Sequence, residues 1–418
     1  MAVLMALMLL LLSACSGNKN DQISNNDQTN GDSLDEFQPE AGAELVFWTY
    51  LSDQKPFAEY AAKEFEKEYD VKVKVADGAY WENAKNMLVD GPAGTGADVF
   101  GLQNEGLAEA VNAGLVLPND YFEEDVKNTN TDQAIAQATY DDVLYGYPWN
   151  VYTTSLYYNK DLVNATKFKT WDELIKFAKD FNDVKNNKYG FMFEGKTAFF
   201  DIAFMTGYGG YIFGDEGKDV TDIGLNNAES VKGMEFFKSL KEILPMELSD
   251  MTSDVKNSLF AQGKAAIIMD GSWSIGAYNK LPFEVGVIPM PKLPGGDQAK
   301  PLAGYTSYYV SSYSKYPNAS KLFANFITTK EMQIKNNQMT GALPAAKLDT
   351  DDKLREDDNT KGFLQQIETT YRTPNLLETT FVWEKMDVVV EEIWNGSDIK
   401  KSLDKAVKGI KDSIESKQ

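Results

Sequence analysis

From Glu44 onward the chain alternates short apolar runs with amphipathic segments, and no other feature restricts the possible folds as strongly. Leu45-Val-Phe-Trp-Thr-Tyr reads as a buried strand, and Phe57 to Tyr69 places Phe57, Tyr60, Ala61, Phe65 and Tyr69 on one helical stripe. Val71-Lys-Val-Lys-Val has the period of two expected of a half-exposed strand. Ala97-Asp-Val-Phe-Gly-Leu is a further strand, followed by a helix over Glu105–Ala113 that stops at Gly114. Asp172–Phe181 and Ala228–Lys241 read as helices, capped within Thr170-Trp-Asp-Glu and Asn227-Ala-Glu-Ser, and Ala265–Met269 as a buried strand. Strand and helix in alternation predict an α/β fold with a mostly parallel sheet covered on both faces. Residues 44–418 exceed one comfortable core, so two lobes are expected.

Composition narrows function by exclusion. The net charge of −22 opposes nucleic acid, whose binding requires phosphate neutralisation, and opposes docking flat on an anionic membrane. Histidine is absent and Cys15 is the sole cysteine, which removes the commonest general base and the commonest transition-metal ligands. No metal or cofactor is expected. Arg355 and Arg372 are the only guanidinium groups available to clamp a carboxylate or phosphate, which favours an uncharged ligand. Aromatic residues make up 12% of the chain, more than a core strictly needs.

The N-terminus predicts location. Ala2 to Leu12 is almost purely apolar but too short for a hydrocarbon core of about 30 Å, and it has the length of a signal-peptide core. Its ending, Leu12-Ser-Ala-Cys15, resembles the lipobox of bacterial lipoproteins. That resemblance implies removal of residues 1–14 and diacylation of Cys15, placing the protein on the outer face of a Gram-positive cell membrane. Two acyl chains anchor stably where one does not. Ser16 to Ala43 is rich in Asn, Asp, Gln, Ser and Gly, so residues 15–43 read as a lipid-anchored flexible tether with a span of roughly 30 Å.

Seven segments, in order, resemble the extracellular solute-binding proteins of ABC sugar importers, of the maltose/maltodextrin-binding type. They are Glu44-Leu-Val-Phe-Trp, Ala97-Asp-Val-Phe, Leu144-Tyr-Gly-Tyr-Pro with Leu156-Tyr-Tyr-Asn-Lys-Asp-Leu162, Gly209-Gly-Tyr-Ile-Phe-Gly214, Gly263-Lys-Ala-Ala-Ile-Ile-Met-Asp-Gly-Ser-Trp273, Val285-Gly-Val-Ile-Pro and Pro374-Asn-Leu through Trp383. The resemblance implies a monomer of two α/β lobes, 44–150 with 305–350 and 151–304 with 351–418. It further implies a hinge cleft that closes on maltose or maltodextrin and a membrane permease that accepts the sugar.

Sugars offer apolar C–H faces fringed by hydroxyls, so aromatic platforms and polar side chains belong together in their sites. The resemblance puts stacking rings at Phe199, Phe200, Trp273 and Trp383. It puts polar contacts at Tyr50, Ser52, Asp53, Gln103 and Glu105, with Asp53 alternatively a helix cap after Pro56. Tyr152 stands where the family often carries Glu, Leu102 where it commonly has Trp, and Gly106 where it has Arg. Tyr80 and Trp81 are further candidate platforms. Another neutral oligosaccharide is the alternative ligand. A glycosidase and an adhesive lipoprotein are rivals of a different class, but 63 acidic residues make a suitable pair of carboxylates uninformative, and no segment carries a catalytic signature.

Overall fold

The computed structural model describes residues 37–349 and 352–417. Cys15, the apolar run before it and most of the expected tether lie outside the described residues. The first strands and helices are β1 (Glu44–Thr49), α1 (Leu51–Tyr69), β2 (Lys72–Asp77), α2 (Asn83–Ala93), β3 (Val99–Gln103) and α3 (Leu107–Asn112). A middle region follows with β4 (Tyr147–Asn159), α4 (Trp171–Phe181), β5 (Tyr189–Met192), α5 (Ala198–Gly207), α6 (Ala228–Ser239), α7 (Ser253–Ala261), β6 (Ala265–Gly271) and β7 (Val285–Ile288). The last are β8 (Leu302–Val310), α8 (Pro317–Ile327), α9 (Lys330–Thr340), α10 (Asp358–Ile367), β9 (Tyr371–Arg372), α11 (Thr379–Trp394) and α12 (Ile399–Glu415).

Local chemistry accounts for the helix starts. Thr170 and Glu173 form a capping box at α4, and the Asn227 side chain accepts from Ser230 N–H at α6. α1 begins six residues before its apolar stripe, because the Asp77 carboxylate at the end of β2 accepts Leu51 N–H at 2.9 Å. Asp53 therefore sits inside the first turn, which corrects the reading of it as a cap after Pro56.

The expected tether also ends sooner than Ala43. The Glu40 carboxylate accepts the N–H groups of Asn318 and Ala319 at 2.8 and 2.9 Å, in the first turn of α8. That helix opens on Pro317 with no side-chain cap of its own, so an external carboxylate satisfies two of its orphan donors. Glu40→Ala is expected to lower stability by about 0.5–2 kcal/mol, as loss of a cap does. A denaturant midpoint equal to that of the unmodified protein would show the contact to be idle.

Nine strands form one connected system in the order β2-β1-β3-β8-β4-β6-β5, with β7 added to β4 and β9 to β8. Pairing is parallel among β1, β2 and β3 and between β5 and β6, where helices make the crossovers. It is antiparallel where β8 meets β3 and β4, and where β4 meets β6 and β7. The sheet is thus mixed rather than mostly parallel. The parallel pattern breaks at β4, which runs antiparallel to each of its neighbours β6, β7 and β8.

β4 ties the system together. All 13 of its residues are buried. Its stretch from Tyr147 to Thr153 pairs with β8, and its stretch from Thr154 to Tyr158 pairs with β6. One apolar cluster, including Met87, Phe100, Leu102, Leu107 and Tyr309, lies on the β3 side. Another gathers Trp171, Phe191, Phe204 and Phe236, with Trp171 edge-on to the three phenylalanines at 5.2–5.4 Å. α11 and α12 pack on each other and on α6, and Trp394 donates its indole N–H to the Met246 carbonyl at 2.9 Å. The β4–β8 ladder also carries an irregularity. Thr306 faces Asn150 but Ser307 faces Pro148, so Trp149 is an extra residue on β4, a bulge beside a proline that has no N–H to pair.

Candidate functional site

Four strands end at one place. Tyr50 follows β1, Tyr80 and Trp81 follow β2, Gln103 closes β3, and Ser272 and Trp273 follow β6. All of them line a cavity of about 590 Å³, together with Trp149, Asn150 and Tyr152 of β4. The carboxyl ends of strands are where open α/β sheets leave room for a ligand.

The rings fall into two groups. Tyr50 meets Trp81 edge-on at 5.2 Å and Tyr80 at 6.3 Å, while Tyr80 meets Trp149 at 6.1 Å. Trp149 in turn stacks on Tyr308 at 5.4 Å and 8°. In the second group Trp273 lies 6.1–6.4 Å from Tyr152, Phe199 and Phe200. Backbone without side chains lets two of these rings lie flat. A Cβ on Gly304, directly across the ladder from Tyr152, would come within 2.1 Å of that ring, and one on Gly271 within 2.2 Å of Trp273. Trp273 is 41% and Trp81 59% exposed, so large apolar faces stand open at the cavity rather than in the core.

Polar groups interleave with the rings. Ser52, Asp53, Gln54, Gln103, Asn150 and Thr306 contribute to the wall. Asp53 Oδ1, Gln54 Oε1 and Trp149 Nε1 have no hydrogen-bond partner among the described residues, although buried polar atoms normally find one. Burial pushes the Asp53 carboxyl up to about 6, against opposing hydrogen bonds from backbone and from Gln54. Tyr152 donates to Glu105 Oε2 across a long 3.5 Å contact. Burial raises Glu105 to about 7, with backbone and Tyr152 hydrogen bonds pulling the other way. The Tyr152 phenol is itself driven well up by burial and by Glu105, so it stays a donor.

A carboxyl raised in the folded state stabilises the fold fully below its unfolded value and loses that contribution as pH climbs through its folded value. For Glu105 the window runs from 4.5 to about 7. Relative to Glu105→Gln, the unmodified protein is therefore expected to lose about 1–2 kcal/mol across that window, after allowance for solvent at the cleft edge. Denaturant midpoints of both proteins at pH 4.5 and 7.5 check this. A constant gap between them would contradict it.

Of the residues expected in the site, Tyr50, Ser52, Asp53, Gln103, Tyr152 and Trp273 line the cavity, as do Tyr80 and Trp81. Phe199, Phe200 and Glu105 stand behind it, touching Trp273 or Tyr152. Trp383 is not in this wall; it is half-buried on α11 against the second apolar cluster. The main omission is Trp149, whose one sequence signal is Pro148 within a strand-like run. Among the described residues there is no acidic or histidine cluster suited to a metal, and no helix long and apolar enough to cross a membrane.

Residues 60–358 match the family model described as bacterial extracellular solute-binding protein. The chain is 32% identical to a galactooligosaccharide-binding protein of Bacillus subtilis, over 90% of each chain. It is 30% identical to a maltodextrin-binding protein of the same organism, over 97% of this chain and 95% of the relative. A crystal structure of a cyclo/maltodextrin-binding protein complexed with maltotetraose superposes with a TM-score of 0.78 at 32% identity, covering 89% of this chain and 97% of that one.

Proposed function

The chain belongs to the bacterial extracellular solute-binding proteins, and from that premise we propose that it captures a maltodextrin for an ABC importer. The observation that carries the proposal is the convergence of six aromatic rings, Tyr50, Tyr80, Trp81, Trp149, Tyr152 and Trp273, on one cavity with amide, hydroxyl and carboxyl groups between them. Rings cover the apolar faces of glucose units, and the polar groups take up the hydroxyls. The scarcity of guanidinium groups accords with a neutral ligand. Galacto-oligosaccharide is the second reading, favoured by the 32% identity to the protein named for it.

Calorimetry with maltotetraose, maltose and galacto-oligosaccharides decides between them. Binding of maltotetraose with no heat from the galacto series is expected, and the reverse pattern overturns the proposal. A ligand at 100 times its Kd also adds about 2.7 kcal/mol to stability, which a thermal shift reads independently.

The wider role follows the same reading. The protein works as a monomer of two lobes, 44–150 with 305–350 and 151–304 with 351–418, which close over the sugar and present it to the membrane permease. Closure needs a ligand that binds the closed form better than the open one. The radius of gyration in small-angle scattering falls with saturating sugar on this reading, and an unchanged radius despite binding excludes closure. The sugar is bound and not hydrolysed, so purified protein releases no reducing ends. Diacylated Cys15 holds the protein at the outer membrane face, and Cys15→Ser moves it into the soluble fraction.

A further inference from the structure

Beneath the turn that carries Trp273 lies a buried ion pair, whose lysine also donates to the Met269 carbonyl of β6 at 3.5 Å. Lys256 reaches from α7 to Asp270 at the end of β6, with 2.5 Å between Nζ and Oδ2 and side chains 0% and 2% exposed. Four donors converge on that one carboxylate. Besides Lys256, Asp270 accepts Gly271 N–H at 2.7 Å, the Ser274 hydroxyl at 3.2 Å and the Tyr278 hydroxyl. Gly271 and Ser274 bracket Trp273 on either side, and the Trp273 ring lies flat over Gly271. Lys256 also stands 6.0 Å from the ring of Phe200, itself a neighbour of Trp273.

A buried pair is a poor source of stability, since desolvation of both ions cancels much of their attraction. What it supplies is geometry: the carboxylate has one position in which all its donors are met, and the turn built on those donors is held with it. We infer that the Lys256–Asp270 pair positions Trp273, setting the angle at which its exposed face meets a ligand in the cleft. Lys256 and Asp270 are positioning residues, acting through the turn rather than on the ligand.

Fluorine NMR on protein labelled with 5-fluorotryptophan tests this, with Trp273 assigned through Trp273→Phe. Tyr278→Phe removes one donor to Asp270, Lys256→Met removes the counter-charge, and Lys256→Met with Asp270→Asn removes both charges. The expected result is a shifted, broadened Trp273 resonance in each single variant, with partial recovery in the double variant. Maltotetraose Kd should rise on the order of tenfold in the single variants, a fraction of what a whole platform contributes. If Lys256→Met does not fold, Tyr278→Phe decides by the same resonance. An unchanged Trp273 resonance and Kd, with only the denaturant midpoint lowered, overturns the inference and leaves the pair as support for β6. The affinity arm rests on the maltodextrin reading; the resonance needs no sugar, so absence of maltotetraose binding in the unmodified protein defeats that reading alone.

Discussion

Replacing Trp273 by Ala is expected to weaken maltotetraose binding by roughly tenfold to a hundredfold, taking ~1–3 kcal/mol per aromatic platform as the guide. The same change should cost little stability, about 1 kcal/mol or less, because the ring is already 41% exposed and lies over glycine backbone. Calorimetry and a denaturant midpoint on one variant read both quantities. Normal affinity with a collapsed midpoint would make Trp273 a core residue and remove it from the site.

Trp149→Ala is expected to do the opposite in its larger effect. That ring is 3% exposed, stacked on Tyr308 and edge-on to Tyr80, so truncation leaves a cavity among buried aromatics. The cost should be about 3–5 kcal/mol, a large share of a typical stability of about 5–15 kcal/mol. Sugar affinity should fall as well, since the floor of the cleft loses its largest ring. Trp149→Phe keeps a ring while deleting the unpartnered indole N–H, so most of the stability should return. A midpoint for Trp149→Ala within about 1 kcal/mol of the unmodified protein would show that the floor does not depend on this ring.

The contrast between the two tryptophans marks how far the sequence alone can be read. Trp273 was legible through the resemblance, as the last residue of the segment Gly263–Trp273, directly after Asp270-Gly-Ser. Trp149 sits inside a run of thirteen buried residues, where strict alternation would assign every second side chain to one face. The bulge at Pro148–Asn150 breaks that alternation, and a bulge is defined by the partner strand β8, more than 150 residues away in sequence. Phe199 and Phe200 illustrate the same point at smaller scale. The resemblance offered both rings alike as stacking residues, and packing of α5 decided that Phe200 is the buried one.

By itself the sequence determined several of the strands and helices, the caps of α4 and α6, and the aromatic richness of the chain. These depend on periodicity, composition and contacts only a few residues apart, all of which a linear chain carries explicitly. Tertiary structure decided the mixed sheet, the early start of α1 on Asp77, the docking of Glu40 on α8, the entry of Trp149 into the site and the placing of Trp383 outside this wall. Each depends on a partner brought near only by folding. The direction of a side chain at a strand end, or the carboxylate that caps a helix, is set by the neighbour across the sheet, and a chain's own periodicity records the buried face but not the neighbour.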